Sequence, residues 1–321
     1  MNTVCLISSV ILFACGTDVV TAQSIYPEKS IRLLYGFPAG SDTVARLLAD
    51  RLGAAFGKPV VVENMTGAAG NIAADHTAKA PPDGYTVGML ANSNVAINVS
   101  LYKRLSFDPA KDLTPVTQIY GYPNILVVNN QVARNVKELM QFAHATPGKL
   151  TYGHSGLGTT QHISGELMKV MGGVDIQELA YRGPPQILTD LIAGQISMSF
   201  QPPGVTLSLI QQEKIRAIAV TSLDRVPVAP NVPTMDESGF PGFETAAWFG
   251  LFLPAGVPAT IVETLHRETT RIVTQTDMRA RMYELGDVPL NNTPTEFVAL
   301  IKAETLRWVH VIQQAGVKQI D

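Results

Sequence analysis

The chain has 321 residues, of which 46% are hydrophobic and 16% charged, and its formal charge at pH 7 is −3. That length and apolar content suffice for two domains with buried cores. Lys and Arg (24) nearly balance Asp and Glu (27), so no basic field exists to recruit nucleic acid or an anionic membrane surface, and neither is expected as a partner.

Val4 to Ala14 is almost wholly apolar and gives way to small and polar residues up to Val20-Thr21-Ala22. This is the layout of a secretory signal, residues 1–22, cleaved after Ala22. The run is too short to cross roughly 30 Å of hydrocarbon. No Lys or Arg precedes it, and Leu12-Phe13-Ala14-Cys15 faintly resembles a lipoprotein box, so lipid anchoring is the alternative to simple cleavage. Export from the cytoplasm is the expectation. Both cysteines, Cys5 and Cys15, fall in this segment, so the mature fold needs no disulfide.

From Ile31 onward, short apolar runs alternate with helical spacing. Ile31 to Gly36 reads as a strand, Val44, Leu47, Leu48, Leu52, Ala55 and Phe56 as a helix, and Pro59 to Val62 as a strand again. Further strand patterns lie at 85–90, 125–128, 150–153, 176–180, 196–200 and 215–221, which predicts an α/β protein with largely parallel sheets. After Trp248 to Leu253 the chain reads as mainly helical, with starts at Val257-Pro258 and Thr293-Pro294. Phe297, Leu300, Ile301, Trp308, Val311 and Ile312 share one helical face, the pattern of packing onto a core. Turn-rich stretches at 108–115, 121–124 and 225–233 place a middle lobe at 121–222, with a first lobe built from 23–120 plus 223–321.

Two strand-loop-helix turns carry the chemistry. In Phe37-Pro-Ala39-Gly40-Ser41-Asp42, Ser41 or Asp42 caps the following helix and Gly40 lets the backbone turn its N–H groups toward one point. In Gly153-His154-Ser155-Gly156-Leu-Gly158-Thr159-Thr160-Gln-His162, glycines and hydroxyls form a second concave turn. Helix N-termini hold anions through unpaired N–H groups and the macrodipole, so both loops are candidate anion sites. A third turn, Tyr181-Arg182-Gly-Pro-Pro, offers a guanidinium fork for a carboxylate. Phe37, Tyr181 and Trp248 are candidates to wall a cleft.

Enzymatic motifs fail on spacing. Gly156-x-Gly158 lacks the third glycine of a dinucleotide loop, no phosphate-binding Gly-x-x-x-x-Gly-Lys occurs, and Leu157 stands where a nucleophile elbow needs glycine. The six histidines show no close pair at metal-ligand spacing, so neither a metal nor a cofactor is expected. His154 and His162 flank the second loop and are candidates for ligand contact. The competing reading is a secreted serine hydrolase using Ser155 with His162 or His154.

These segments resemble the receptor components of tripartite tricarboxylate transporters, the Bug receptors, over roughly residues 24 to 318. The resemblance is carried by Pro27-Glu-Lys-x-Ile31-Arg, the Pro38-Ala-Gly40 loop, Val62-Glu-Asn64-x-x-Gly-Ala-Ala-Gly-Asn71 and Lys79-Ala-Pro-Pro-Asp-Gly-Tyr85-Thr. It continues in Tyr152-Gly-x-Ser-Gly-x-Gly158, Gln161-His162-x-x-Gly-Glu166-Leu and Trp248-Phe-Gly250. It implies a two-lobed periplasmic binding fold (type II-like), with a mainly parallel sheet and flanking helices in each lobe. It also implies a non-catalytic monomer that binds a small organic acid and meets two integral membrane subunits. A ligand-sensing subunit of a signalling system would share the same site. Ligand contacts carried over fall at Phe37, Ala39, Gly40, Ser41 and Asp42, and at Ser155, Gly156, Gly158, Thr159, Thr160 and His162. Asn92 and Tyr181 shape the rest of the cleft, with Arg182 where the family has Lys and Gln201 in the turn where it has Phe-Asp-Asn. The first loop runs Gly40-Ser41-Asp42, about two residues shorter than the family pattern.

Overall fold

Ile31–Tyr35 forms the first strand, β1, and every residue in it but Arg32 is buried, as a strand covered on both faces requires. The computed structural model describes residues 26–314 together with 317 and 319. The export signal, the lipoprotein alternative and both cysteines lie outside the described residues. After β1 come α1 (Thr43–Phe56), β2 (Val60–Asn64), α2 (Asn71–Ala78) and β3 (Thr86–Ala91). Both β2 and β3 pair parallel with β1, Leu33 lying between Val62 and Val87. α1 buries Val44, Ala45, Leu48, Ala49 and Leu52 on one face and stops at Gly57 in the left-handed conformation, a common helix ending.

A π-helical turn at Ser93–Ile97 leads into two one-turn helices, α3 (Asn98–Leu101) and α4 (Pro109–Asp112), and then into the long strand β4 (Leu113–Pro123). Past Asn124 the chain enters a second sheet. There follow β5 (Ile125–Val128), α5 (Val136–Ala145), β6 (Thr151–His154), α6 (Thr160–Gly172), β7 (Gln177–Ala180), α7 (Pro184–Ile192), β8 (Met198–Gln201), α8 (Pro203–Gln211) and β9 (Arg216–Val220). β10 (Ala246–Pro254) returns to the first sheet, and α9 (Ala259–Val273), α10 (Thr276–Glu284), β11 (Val288–Pro289) and α11 (Pro294–Gln314) finish the chain.

The strand orders are β11-β4-β10-β3-β1-β2 and β7-β6-β8-β5-β9. Between the named strands, parallel pairing is confined to β2-β1-β3 and β7-β6-β8, while β4, β10, β11, β5 and β9 pair antiparallel. The sheets are therefore mixed rather than mainly parallel. The cause lies in β4 and β10, which run side by side from Leu113 opposite Pro254 to Pro123 opposite Ala246 and carry the chain out and back. Of residues 121–124, expected to be turn, 121–123 instead extend β4, and the chain crosses at Asn124.

A polar knot marks the two crossings. Thr245 N donates to Thr221 O and Thr221 N to Asn124 O, both at 2.9 Å. The Thr221 hydroxyl donates to Thr245 O and accepts from Asn124 N at 2.9 Å. The return crossing thus sits at Thr245 rather than at 222. The stretch assigned to the first lobe from 223 onward buries Met235, Phe240 and Phe243 among Leu126, Phe200 and Ile218 of the second sheet. The C-terminal helices do cover the first sheet: Leu265, Ile272, Met278 and Met282 join its core, and Phe297 meets Trp248 at 5.3 Å. The apolar stripe of α11 is core packing.

Candidate ligand-binding site

Between the sheets lies a cleft of about 130 Å³, on the order of ten water positions and so of small-molecule size. The loop after β1 and the N-terminus of α1 form one wall, through Phe37, Gly40, Ser41, Thr43 and Val44. The shortened loop is braced within itself. Gly40 N donates to Asp42 Oδ1 at 3.1 Å, Ser41 N to Pro38 O at 3.2 Å, and the Ser41 hydroxyl to the same carbonyl at 2.7 Å. Asp42 takes the N-cap position without capping the helix through its side chain. Its carboxylate turns inward to Arg46 Nη2 at 2.7 Å. Burial alone would raise its pKa, but Arg46, Gly40 N–H and Asn64 outweigh burial and hold it below the usual carboxylate range. Gly40 and Ser41 therefore reach the cleft with their amides already engaged, and the N–H groups facing outward are those of the first turn of α1.

The opposite wall is the loop after β6. Ser155, Thr159, Thr160 and Gln161 line it. Thr159 caps α6 by accepting from His162 N at 3.3 Å, the arrangement expected of a Thr at that position. A buried relay shapes the loop: Ser155 N donates to Gln161 Oε1 at 2.7 Å, Gln161 Nε2 to Gln201 Oε1 at 3.3 Å, Gln201 Nε2 to the Ser199 hydroxyl at 2.7 Å, and that hydroxyl to Gly153 O at 2.6 Å. Gln201 thus acts behind the cleft, not in it. The Ser155 hydroxyl oxygen is buried and has no hydrogen-bond partner. Asn124 Nδ2 donates to the Thr160 hydroxyl at 3.1 Å, tying α6 to the first crossing.

Aromatic rings pave the floor, Tyr120 stacking on Phe249 at 4.9 Å and Phe249 on Tyr35 at 5.7 Å. Phe37 closes one end at 5.7 Å from Phe249. Asn92 lines the cleft beside them. Trp248 points instead into the core beside Phe297, because alternate residues of β10 face opposite sides of the sheet. Tyr181 is turned away by its hydroxyl, which donates to Asp190 Oδ2 at 2.9 Å. Arg182 is exposed outside the lining. Ala39, Asp42, Gly156, Gly158 and His162 support the two loops without lining the cleft. Tyr35, Tyr120, Tyr122, Gln161 and Asp287 are lining residues that sequence reasoning missed. The alternation Tyr120-Gly-Tyr122 was the available signal for two of them.

The walls meet at the rim. Tyr102 Oη donates to Leu157 O at 3.4 Å, and a Cβ on Gly156 would lie 3.4 Å from Ala69 Cβ. Ala69 has a left-handed φ of 53° and is held by Asn94 Nδ2 on its carbonyl at 2.9 Å. Asn71 Oδ1 accepts from both Asn94 and Asn98, at 3.0 and 2.9 Å, so the turns after β2 and β3 form one rigid edge.

Behind the second loop, the structure pairs what the linear spacing of histidines did not. The His154 and His162 rings lie 5.0 Å apart, and His162, Glu166 and Glu178 bring ligand-type atoms within 4.8 Å of one another. Gly156 N–H points at His154 Nδ1 (3.2 Å) and Gly158 N–H at His162 Nδ1 (3.3 Å). Those nitrogens are therefore acceptors, and the proton sits on Nε2, facing Glu178. Lys169 Nζ occupies Glu166 at 2.8 Å. Lys169 thus answers Glu166, His162 Nε2 lies 3.1 Å from Glu178, and the cluster braces the glycine loop. Burial first, and the neighbouring His162 second, push the His154 pKa down to about 4. The hydrogen bond from His162 holds Glu178 at about 2 despite its partial burial. The stability contributed by His154 should therefore fall as pH drops from 6.5 toward 4, since unfolded His154 binds a proton that the folded residue refuses, and Glu178 extends the loss below 4.5. Melting curves of the native protein and of His154→Gln at pH 7, 5.5 and 4.5 check this: the native Tm should drop relative to the variant as pH falls, and a difference constant over that range would contradict it.

Residues 44–317 match the family model TctC, tripartite tricarboxylate transporter family receptor. BugT of Bordetella pertussis is 30% identical over 313 residues, 96% of each chain. Among solved structures, Rpa4515 of R. palustris with adipate aligns with a TM-score of 0.88 at 34% identity, covering 92% of this chain and 100% of its own. MatC (Rpa3494) from Rhodopseudomonas palustris with bound malate gives 0.84 at 30% identity, covering 89% and 100%. With its two mixed sheets, intervening cleft and near full-length matches, the chain belongs to the TctC family of solute-binding receptors.

Proposed function

We propose that this receptor captures a small organic carboxylate between its lobes and presents it to two integral membrane subunits of a tripartite tricarboxylate-type transporter. It would act in the periplasm after removal of residues 1–22, as a monomer and without catalysis. The observation that carries the reading is that α1 and α6 both open their N-termini on one cleft, beside the buried and unpartnered Ser155 hydroxyl. Unpaired helix N–H groups and a free hydroxyl bind an anion without any cationic side chain. Ligand contacts with both walls favour the closed arrangement over an open one. Adipate and malate, found in the two relatives, supply the probes to begin with.

Isothermal titration with adipate, malate, citrate and benzoate tests the reading, and silence toward all of them from a cooperatively melting sample would sink it. Ser155→Ala should weaken the best ligand about tenfold, the scale of one hydrogen bond to a charged group. Gln161→Ala should do at least as much by releasing Ser155 N–H from its fixed direction. A hydrolase using Ser155 needs that hydroxyl on an imidazole, whereas the nitrogens of His154 and His162 face the glycine amides and Glu178.

A further inference from the structure

The cleft has one acidic end. Asp287, just before β11, is 9% exposed and lines the same cavity as Ser41 and Ser155. No Lys, Arg or His is among the lining residues. The titratable groups that face the carboxyl are Tyr35, Tyr120 and Tyr122. Two of these are engaged elsewhere: Tyr35 Oη donates to Ser41 O at 2.8 Å, and Tyr120 hydrogen-bonds Tyr35. From the second sheet, the start of α8 closes on the same turn, with Gly204 against Leu285 and Pro203 against Gly286, and brings no charge. Among the described residues no hydrogen bond or ion pair reaches the Asp287 carboxyl, and burial by itself pushes its pKa up to about 8.

A second lining residue points the same way. Asn92 gives its Nδ2 to Ala246 O at 2.9 Å, and its Oδ1 is buried without a partner. The cleft therefore holds two unlike sets of unanswered groups. Donors gather at the N-termini of α1 and α6 with Ser155, and acceptors at Asn92 and Asp287. A buried carboxyl without water is tolerated only by taking up a proton or meeting a cation. A plain dicarboxylate answers the donors and opposes the acceptors.

We propose that Asp287 is the counter-charge for the ligand, selecting cargo that carries a carboxylate at one end and a protonated amine at the other. This rests on the carboxylate-receptor reading above and narrows its ligand class to aminocarboxylates. The carboxylate faces the helix N-termini, the ammonium faces Asp287, and the Tyr120 and Tyr122 rings beside it favour a cation.

Titration calorimetry at pH 7.5 on length-matched pairs tests this, with succinate against 4-aminobutyrate and adipate against 6-aminohexanoate, for the native protein and for Asp287→Asn. The better-fitting aminocarboxylate should bind the native protein at least tenfold more tightly than its dicarboxylate partner. Asp287→Asn should weaken it at least tenfold and strengthen the dicarboxylate. Folding of the variant is read separately. The raised pKa of Asp287 gives a contribution present below 3.8 and lost as pH rises through about 8, so the Asn variant should melt higher than the native protein at pH 8 and level with it near pH 4. Dicarboxylates binding the native protein more tightly, or a substitution that leaves the aminocarboxylate affinity unchanged, would overturn the proposal and leave the carboxylate receptor standing. Silence from both series would remove both.

Discussion

Gly158→Ala is expected to abolish ligand capture while leaving a folded protein. Gly158 has φ of +83°, and a Cβ there would collide with Asn98 Oδ1 across the rim. Asn98 cannot swing aside freely, because its Nδ2 is fixed on Asn71 Oδ1 at 2.9 Å and Asn71 is itself held by Asn94. The left-handed backbone adds about 1–2 kcal/mol of strain for any residue with a Cβ. The walls are then propped apart at the edge that must close over a ligand, and affinity should drop at least a hundredfold. Calorimetry with whichever carboxylate the native protein binds reads the loss, and a Tm within a few degrees of native shows that folding survives. Adding Asn98→Ala should recover part of the affinity by making room for the methyl group, the signature of a direct contact in a double-mutant cycle. Native affinity in Gly158→Ala would show that rim contact plays no part in binding.

Trp308→Ala should have the largest effect on stability. The indole is 1% exposed and sits among Ala96, Ile97, Leu101, Ile163 and Ile312. Its N–H donates to Glu304 Oε2 at 2.9 Å, and the Arg307 guanidinium lies 5.3 Å over the ring. Removing a buried Trp side chain costs about 3–5 kcal/mol, a fall in Tm on the order of 10 °C for a chain of this size. Because Ile163 belongs to α6, the cavity also loosens the helix whose N-terminus faces the ligand, so affinity should decline together with Tm. Trp308→Phe should retain most of both. A loss under about 2 °C in Trp308→Ala would mean that α11 is held by other contacts.

The strand-helix alternation was legible because strands buried on both faces are near-continuous apolar runs, and β1, β3, β5 and β8 stand where those runs predicted. β4 was not legible. Its polar and small residues, Thr114, Thr117, Gln118 and Gly121, look like a turn until their partners on β10 and Asn292 are known, and Gln118 N donates to Asn292 Oδ1 at 2.9 Å across 174 positions. The same blindness misplaced the return crossing, since nothing local shows that Phe243 will stack on Phe200 at 6.2 Å. Within the site, both strand-loop-helix turns were visible from glycine and hydroxyl spacing. What Arg182 does was not, because a guanidinium after a strand looks alike whether it faces a ligand or water. Asp287 left no trace in the sequence, since only the pairing of β11 with β4 brings it to the cleft.

The hydrogen bond from Asn124 to Thr160 has a mechanical consequence. Any rotation of one lobe on the other turns about the paired crossings, and each residue moves in proportion to its distance from that axis. Thr160 is fastened to the axis and barely travels, so α6 offers its amides in nearly the same place whether the jaws are apart or together. Gly156 and Gly158 instead face the opposite wall, at Ala69 and Asn98. The rim contacts at Gly156 and Gly158 would then be the ones to part if the lobes swing open.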